Sequence, residues 1–501
     1  MIVYWDLKYI KYYTSVHVIT TFLLILGTRC CDEEDLKFPE GFLIGAGSSA
    51  YQIEGAWNIS DKAESIWDHF THDPASGVYN KSTGDVASNS YYLYKEDIKL
   101  LSQIGFDFYR FSISWSRILP NGFANNISQD GLKYYHNLLD ELNSKDVKPF
   151  VTLYHWDHPQ VLEKLGGWTN ELMVQWFTDY AKVVFRELGP KVKVFITINE
   201  PYSLCSSGYG DSYFAPGMNL PGVANYICGH NMLKAHANVY HMYHEEFKED
   251  QRGLIGIANE CNSFFAKNQT DTLQDEAFQF TCGWFSHPIF SKQGDYPAVM
   301  KALINHNSIR EGWQNSRLPI FSKKWINYIK GTADFYALNH YTSRIVERGN
   351  NGRVENKWYD LKATFTLDPK WPKGKSSWLA VAPEGLRYIL KKLKSEYGNT
   401  SIYIIENGFS DEGQLEDTKR VEYYFFYLRE MLKAIHQDGC NVKAYTAWSL
   451  LDNFEWTSGY SERFGIIHVD FNDSTRKRTA KYSANWFKDL LKFRQLSLKY
   501  T

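Results

Sequence analysis

Eight short apolar runs, rich in β-branched residues, recur along the 501-residue chain, and longer stretches of helical or mixed pattern separate them. A run of this kind, bounded by turn residues, is typical of a buried parallel strand. Strand and helix alternating eight times predict a closed parallel barrel of the (β/α)8, or TIM, type. We predict strands at 42–47, 108–115, 149–155, 194–199, 254–259, 334–340, 402–406 and 442–448, with helices at 91–104, 134–145, 172–188 and 422–437 among the connections.

Two of these runs end in a glutamate. The fourth ends in Asn199-Glu200-Pro201 and the seventh in Glu406-Asn407-Gly408. Pro201 has no backbone N–H and favours an extended conformation at the residue before it, so we expect Glu200 to be extended at the tip of its strand. Because the strands of a parallel barrel end at the same rim, both carboxylates are expected to face one site.

Polar and aromatic residues also follow the other predicted strands. For any one of them, the simpler explanation is a residue that caps a strand end or a buried polar group whose hydrogen bonds are satisfied within the core. Their joint occurrence on seven of eight strands predicts an active site at this rim. The set comprises Gln52, Glu54, Arg110, His155, Trp156, Asp157, Asn199, Asn339, His340, Tyr341, Asn407, Trp448, Asp452, Asn453, Glu455 and Trp456.

The residue types in this set favour cleavage of a glycosidic bond. Two carboxyl groups suit that reaction, one protonated to assist the leaving oxygen and the other ionised to attack the anomeric carbon. Arg110 is available to keep one of them ionised, and that charge raises the pKa of its neighbour. Polar side chains offer hydrogen bonds to sugar hydroxyls, and tryptophans offer flat apolar faces.

Composition limits the alternatives for the rest of the chain. The net charge is −2 and the pI about 6.7, which indicates no basic face for nucleic acid. Aromatic residues make up 16%, which fits either a large core or stacking on sugar rings. Without a low-complexity linker, we predict one catalytic domain over residues 36–495, whose long connections at 261–333 and 342–400 build pocket walls.

The first 30 residues have the features of a secretory signal peptide. Lys8 and Lys11 precede an apolar run at 16–26 that is too short to span a bilayer comfortably, and an acidic segment follows Cys31. We expect cleavage near 27–31 and secretion into a digestive lumen or a similar extracellular space, with no membrane attachment. An uncleaved membrane anchor is the alternative.

Possible N-glycan sites fit the same compartment, while the cysteines leave the disulfide pairing undecided. Six N-glycan acceptor sequences occur, at Asn58, Asn80, Asn126, Asn268, Asn399 and Asn472. Cys205 and Cys228 are close enough in sequence to pair, while the pairing of Cys261, Cys282 and Cys440 stays open. No Cys or His spacing indicates a metal, and we expect no cofactor.

Several motifs together resemble glycoside hydrolase family 1, especially animal members of the insect type, from Phe38 to about Trp486. They include Gln52-Ile53-Glu54-Gly55-Ala56, Thr152-Leu153-Tyr154-His155-Trp156-Asp157, Asn199-Glu200-Pro201, Glu406-Asn407-Gly408 and the run from Trp448 to Trp456. The resemblance implies a (β/α)8 barrel and retaining exo-hydrolysis of β-glycosides. The sequence departs from the family pattern at two positions: Ile405 stands where the family usually has Thr, and Ile198 where it often has Phe. Neither change removes a reacting group.

The resemblance also implies residue roles. Glu200 is expected to be the acid/base and Glu406 the nucleophile, with Arg110 and Tyr341 supporting the nucleophile. The expected substrate-binding residues are Gln52, His155, Trp156, Asn199, Asn339, Tyr341, Trp448, Glu455, Trp456 and Phe464.

Three functions remain open at this point. The first is a secreted β-glucosidase, a monomer or homodimer, whose preference among glucose, galactose and fucose is undecided. The second is an insect-type myrosinase, a thioglucosidase of glucosinolates, for which Arg344 is the candidate sulfate ligand. The third is a catalytically silent glycoside-binding protein, which both intact glutamates disfavour.

Overall fold

The structure is a computed structural model that describes residues 36–267, 272–349 and 358–498. The predicted signal peptide at 1–30 and the sequon at Asn268 lie outside the described residues. Within the described part of the chain, no helix is both long and apolar enough to cross a bilayer.

Eight parallel strands close a barrel, which confirms the predicted fold. All eight predicted runs form barrel strands, although the second ends at Ser112 and Trp115 already begins a helix. In chain order the described strands are β1 Leu43–Gly47, β2 Phe108–Ser112, β3 Lys148–Tyr154, β4 Val194–Asn199, β5 Leu254–Glu260, β6 Ser263–Ala266, β7 Tyr336–Asn339, β8 Ser343–Arg348, β9 Ala363–Thr366, β10 Ile402–Asn407, β11 Val442–Trp448, β12 Ile467–Val469 and β13 Arg478–Ala480. Around the barrel the order is β1-β11-β10-β7-β5-β4-β3-β2.

Helices surround the barrel, and three of the four predicted ones begin earlier than predicted, at Ser90, Gln129 and Thr418. The helix expected from 134 begins at Gln129, because the Ser128 hydroxyl accepts the backbone N–H of Gly131 and caps it. The α-helices are Ala50–Ile53, Ile66–His72, Ser90–Ile104, Trp115–Ile118, Gln129–Ser144, Gln160–Glu163, Met173–Leu188, Pro201–Gly208, Ala224–Glu246, Lys248–Gln251, Leu273–Phe280, Cys282–Phe290, Ala298–Arg310, Lys323–Ile329, Trp358–Leu361, Glu384–Tyr397, Thr418–His436 and Tyr482–Phe493.

The barrel interior is a packed apolar core beneath the polar rim. Its members point inward from the barrel strands and the turns before them, so the barrel is filled rather than open. Ile405, the residue directly before Glu406, packs among these apolar residues. The core therefore accommodates an apolar side chain at this position. The core comprises Phe108, Phe150, Val194, Ile196, Ala258, Phe335, Ala337, Ile405 and Ala444.

The long connections at 261–333 and 342–400 contain secondary structure in addition to the barrel. Strands β6, β8 and β9 make a small sheet within them. Two disulfides brace this side of the molecule: Cys205–Cys228, which the sequence made possible, and Cys261–Cys282, whose pairing it left open. Cys440 is a buried free thiol.

Candidate active site

Glu406, on β10, lies among donors that suit an ionised carboxylate. The Arg110 guanidinium on β2 donates to its Oε1, and the Tyr341 hydroxyl donates to its Oε2 at 2.6 Å. Arg110 is fully buried and Glu406 is 3% exposed, so solvent does not weaken this ion pair much. Burial and, after it, the charge of Glu406 raise the pKa of Tyr341, which therefore remains a donor.

Glu200 is the single residue between β4 and the helix Pro201–Gly208. The expected extended conformation is wrong: its φ is 41°, in the left-handed region. The chain must turn from strand to helix within one residue, while the Glu200 N–H still donates to the Ala258 carbonyl at 2.9 Å. Pro201 occupies the first helical position, where its missing N–H costs nothing.

The surroundings of Glu200 favour its protonated form. Burial raises its pKa well above the usual range, and the nearby charges of Glu260 and Glu406 raise it further. The hydrogen bond from Asn339 acts in the opposite direction and does not cancel the rise. A carboxyl group that keeps its proton near neutral pH is suited to general acid catalysis.

Asn199 links the two glutamates through buried hydrogen bonds. Its Oδ1 accepts from Arg110 Nη2 at 2.7 Å and from Asn339 Nδ2 at 3.2 Å. Asn339 Nδ2 in turn donates to Glu200 Oε1 at 2.7 Å. The line Glu406–Arg110–Asn199–Asn339–Glu200 therefore spans four barrel strands and fixes the two carboxyl groups relative to each other.

A pocket of about 350 Å³ opens above these groups. Most of the predicted site residues line it, whereas Gln52, Arg110 and Asn339 are fully buried behind its wall. Six residues from the same strand ends lie elsewhere. Glu54 pairs with Arg117 at 2.9 Å, and the other five are buried outside the pocket: Asp157, His340, Asn407, Asp452 and Asn453. The predicted residues on the wall are His155, Trp156, Asn199, Glu200, Tyr341, Arg344, Glu406, Trp448, Glu455, Trp456 and Phe464.

Aromatic rings form the closed end of the pocket. The His155 ring is stacked between Trp448, at 5.9 Å, and Trp456, at 5.8 Å between centroids. Burial and then the Arg110 charge lower the pKa of His155, so the ring is neutral and available to hydroxyl groups. Glu455 lies beside them and accepts a hydrogen bond from Gln52 Nε2 at 3.3 Å. Polar groups on flat apolar walls suit a sugar ring.

Comparison with known proteins decides the family. The model of Glycosyl hydrolase family 1 matches residues 34–496. The chain belongs to this family. Family 1 membership makes it a glycosidase, in agreement with the enzyme class predicted from the sequence, a retaining β-glucosidase with a thioglucosidase as the alternative.

Several characterised family 1 proteins are similar over nearly their whole length. Myrosinase 1 of Brevicoryne brassicae is 44% identical, with 91% of this chain and 99% of that protein aligned. Cytosolic beta-glucosidase of Homo sapiens is 41% identical, covering 91% and 98%. Among solved structures, aphid myrosinase has a TM-score of 0.88 at 44% identity, covering 91% and 99%. A rice β-glucosidase has a TM-score of 0.85 at 37% identity, covering 90% and 98%.

The pocket of this family 1 enzyme also contains residues that the sequence did not single out. Glu260 ends β5, one residue beyond the predicted strand, so the strand-end rule was one position short of it. Trp378 comes from the long connection at 342–400, where no local pattern indicates a pocket position. The full set on the wall is Tyr202, Ser203, Ser207, Phe214, Glu260, Asn262, Phe264, Thr281, Phe365 and Trp378. No group of His, Cys, Asp or Glu side chains within the described residues is arranged to bind a metal ion.

Proposed function

We propose that the protein is a secreted, retaining β-glucosidase that removes β-D-glucose from the non-reducing end of its substrates. The observation that carries this proposal is the contrast between two carboxyl groups at one pocket. Glu406 accepts hydrogen bonds from Arg110 and Tyr341, while Glu200 lies beside other carboxylates that favour its protonated form. These are the requirements of a nucleophile and an acid/base in double displacement.

The reaction proceeds in two balanced steps. In the first, Glu406 attacks the anomeric carbon and forms a glycosyl ester, while Glu200 gives its proton to the departing oxygen. In the second, Glu200 takes a proton from water, whose oxygen attacks the same carbon and releases Glu406. A mutant rice β-glucosidase of similar structure is described as a covalent complex with Glc, which supports this route.

We assign the closed end of the pocket to the glucose ring. Trp448 and Trp456 contact its apolar faces, and His155 and Glu455 bind its hydroxyl groups, with Asn199 at the floor. Gln52 and Asn339 act from behind the wall, Gln52 by orienting Glu455 and Asn339 by orienting Glu200.

The pocket favours neutral aglycones over the sulfate of a glucosinolate. The Arg344 Nη1 group donates to the Trp378 carbonyl at 2.7 Å, so one of its donors is already engaged. Glu260 lies on the same wall as Arg344. Burial lowers the pKa of Arg344, and the charge of Glu260 acts in the opposite direction. A carboxylate on this wall repels an anionic ligand. The thioglucosidase alternative rests on the similarity to Myrosinase 1, and a silent binding protein ranks last because both glutamates are intact.

Residues 1–30 are proposed as a cleaved signal peptide and 36–495 as the catalytic domain of a monomer or homodimer. The two disulfides support an oxidising compartment. The Asn side chains of the five described sequons are all exposed and open to N-glycans: Asn58, Asn80, Asn126, Asn399 and Asn472. Localisation differs among the relatives, since two of them are named cytosolic.

A substrate panel on the purified enzyme tests the function. It contains an aryl β-glucoside, an aryl β-galactoside, cellobiose, a cyanogenic glucoside and a glucosinolate. We expect the β-glucosides to have the highest kcat/KM and the glucosinolate the lowest. Efficient glucosinolate hydrolysis that Arg344→Gln abolishes would establish the thioglucosidase instead.

A further inference from the structure

Glu260 is a third carboxylate at the reacting end of the pocket. It is the last residue of β5, which lies between the strand that leads to Glu200 and the strand that ends in Asn339. Glu260 is in register with Asn339, and the Glu200 N–H donates to the carbonyl of Ala258, two residues before Glu260. The barrel register therefore places Glu260 beside Glu200, although the two-step reaction assigns it no role.

Two hydrogen bonds fix the Glu260 carboxylate in this position. The Ser203 hydroxyl donates to its Oε2 at 2.5 Å, and Asn262 Nδ2 donates to its Oε1 at 2.7 Å. Both oxygens thus accept from donors, which holds the carboxylate in one orientation. Ser203 lies one helical turn after Glu200 and within hydrogen-bonding reach of it, so its hydroxyl stands between the two carboxyl groups.

The other charged and titratable groups around this pair do not replace Glu260. Tyr202 and Tyr341 are neutral because burial raises the pKa of each, and burial keeps His155 neutral. Arg110 pairs with Glu406. Arg344 lines the same pocket as Glu260; burial lowers the pKa of Arg344, and the charge of Glu260 acts in the opposite direction.

Glu260 differs from Glu406 in one respect that matters to the cycle. The charge of Glu406 disappears when it becomes a glycosyl ester, so its effect on Glu200 is lost in the intermediate. Glu260 makes no covalent bond to the substrate and keeps its charge through both steps. Of these two neighbours, only Glu260 can therefore favour proton uptake by Glu200 during hydrolysis of the intermediate.

We propose that Glu260, oriented by Ser203 and Asn262, is a positioning residue that keeps the proton on Glu200 in the free enzyme and strengthens Glu200 as a base in the glycosyl-enzyme. The inference rests on the acid/base role proposed above for Glu200. It concerns which neighbouring groups control the protonation of Glu200, and not the role of Glu200 in the reaction.

The pH dependence of Glu260→Gln tests the proposal. Glu200 must be protonated to cleave a poor leaving group, so the alkaline limb of kcat/KM for cellobiose follows its pKa. Removing the Glu260 charge is expected to move that limb about one pH unit lower. A dinitrophenyl β-glucoside needs little protonation, so its pH profile is expected to move less than that of cellobiose, while thermal unfolding of the variant reports intact folding.

Two variants control for charge and position. Glu260→Asp keeps a carboxylate and is expected to restore most of the wild-type limb. Glu347→Gln removes a charge from the 53%-exposed side chain of Glu347 on β8 and is expected to leave the limb unchanged. A Glu260→Gln limb that coincides with that of Glu347→Gln would overturn the proposal. A changed KM with an unchanged pH profile would do the same, since it would assign Glu260 to aglycone binding alone. Failure of the wild-type enzyme to hydrolyse any β-glucoside would instead refute the proposed function.

Discussion

At the scale of single residues, the two pocket glutamates differ in their neighbours and not in their own chemistry. Glu406 accepts from a buried arginine, whereas Glu200 lies near other carboxylates in a site that excludes water. The different neighbours therefore raise the pKa of Glu200 by burial and by the charges of Glu260 and Glu406, which suits a general acid.

Backbone strain at the pocket belongs to the same scale. Trp156, Glu200 and Trp456 have φ values of 71°, 41° and 48°, a region that costs non-glycine residues roughly 1 kcal/mol or more. Contacts impose these conformations; the Trp156 indole, for example, donates to the Asn199 carbonyl at 2.8 Å. All three side chains thereby reach the pocket wall.

The first prediction separates the roles of Glu406 and Glu200. Glu406→Ala is expected to abolish turnover of every β-glucoside, because no covalent intermediate can form. Glu200→Ala is expected to lower kcat/KM for cellobiose by about 10²–10⁴-fold, the contribution of a general acid. With a dinitrophenyl glucoside, its glycosylation step survives and the intermediate accumulates, because no base activates water.

Azide provides the control for this assignment. Added azide needs no base, so it is expected to restore turnover in Glu200→Ala and to yield β-glucosyl azide. Product analysis by mass spectrometry and NMR reads the stereochemistry directly. Rescue of Glu406→Ala and not of Glu200→Ala would show that the two roles are reversed.

The second prediction concerns sugar specificity. Glu455 borders the closed end of the pocket, where it is placed to accept hydrogen bonds from hydroxyls at the far end of the ring. Losing such a bond costs about 1–3 kcal/mol, so Glu455→Ala is expected to change the glucose-to-galactose ratio of kcat/KM by about tenfold. Glu462→Gln removes a charge near Glu455 and leaves the pocket carboxylate in place, which makes it the matched control. Equal losses on both sugars in Glu455→Ala would exclude the specificity role.

At the scale of elements, the loop between β11 and the turn at Trp456 is joined to the C-terminal part of the chain by a buried ion pair. Lys481, directly before the helix Tyr482–Phe493, donates to Asp452 Oδ1 at 2.8 Å, and both side chains are fully buried. Burial alone would raise the pKa of Asp452, but Lys481 and His468 lower it to about 2. The same loop carries Glu455, so this ion pair supports the end of the pocket that we propose binds the sugar.

The third prediction tests this ion pair with Lys481→Met. Leaving Asp452 buried without its partner is expected to lower the free energy of unfolding by about 3–5 kcal/mol at pH 7 and to raise KM for glucosides. In the wild-type enzyme the depressed pKa of Asp452 contributes stability above about pH 4, and that contribution is lost as the pH falls toward 2. The deficit of Lys481→Met is therefore expected to shrink with falling pH, as thermal unfolding at several pH values will measure.

A paired variant distinguishes charge from packing. Asp452→Asn combined with Lys481→Met leaves no unpaired charge and is expected to recover part of the lost stability. A double variant no more stable than Lys481→Met would indicate that the lysine acts through its packing.

At the scale of the whole molecule, the fourth prediction concerns processing. Expressed through a eukaryotic secretory pathway, the mature protein is expected to begin between residues 30 and 34 and to lose mass on enzymatic removal of N-glycans. N-terminal sequencing and mass spectrometry measure both. A membrane-bound product that begins at Met1 would contradict the signal-peptide assignment.

Local sequence determined much of this molecule. Each barrel strand is a run of apolar residues whose pattern depends only on its neighbours in the chain, so all eight were found in approximately their correct places. Glu200 and Glu406 were found for the same reason, since each lies where an apolar run stops. Motifs that resemble family 1 added the family, and that resemblance predicted a sugar-binding role for residues such as Trp448 and Glu455, both of which line the pocket.

The tertiary structure decided what depends on contacts between distant segments. Strand order brings Glu260 beside Glu200 and fixes it with Ser203, and no local pattern predicts a contact across 57 positions. The close turn into the helix at Pro201 gives Glu200 its left-handed conformation, against the preference of a residue before proline. Trp378 reaches the pocket from a long connection, and Cys282 is the partner of Cys261 because the fold places the two side by side. Periodicity along the chain reports which face of an element is apolar, whereas a pocket is made by elements that meet only when the barrel closes.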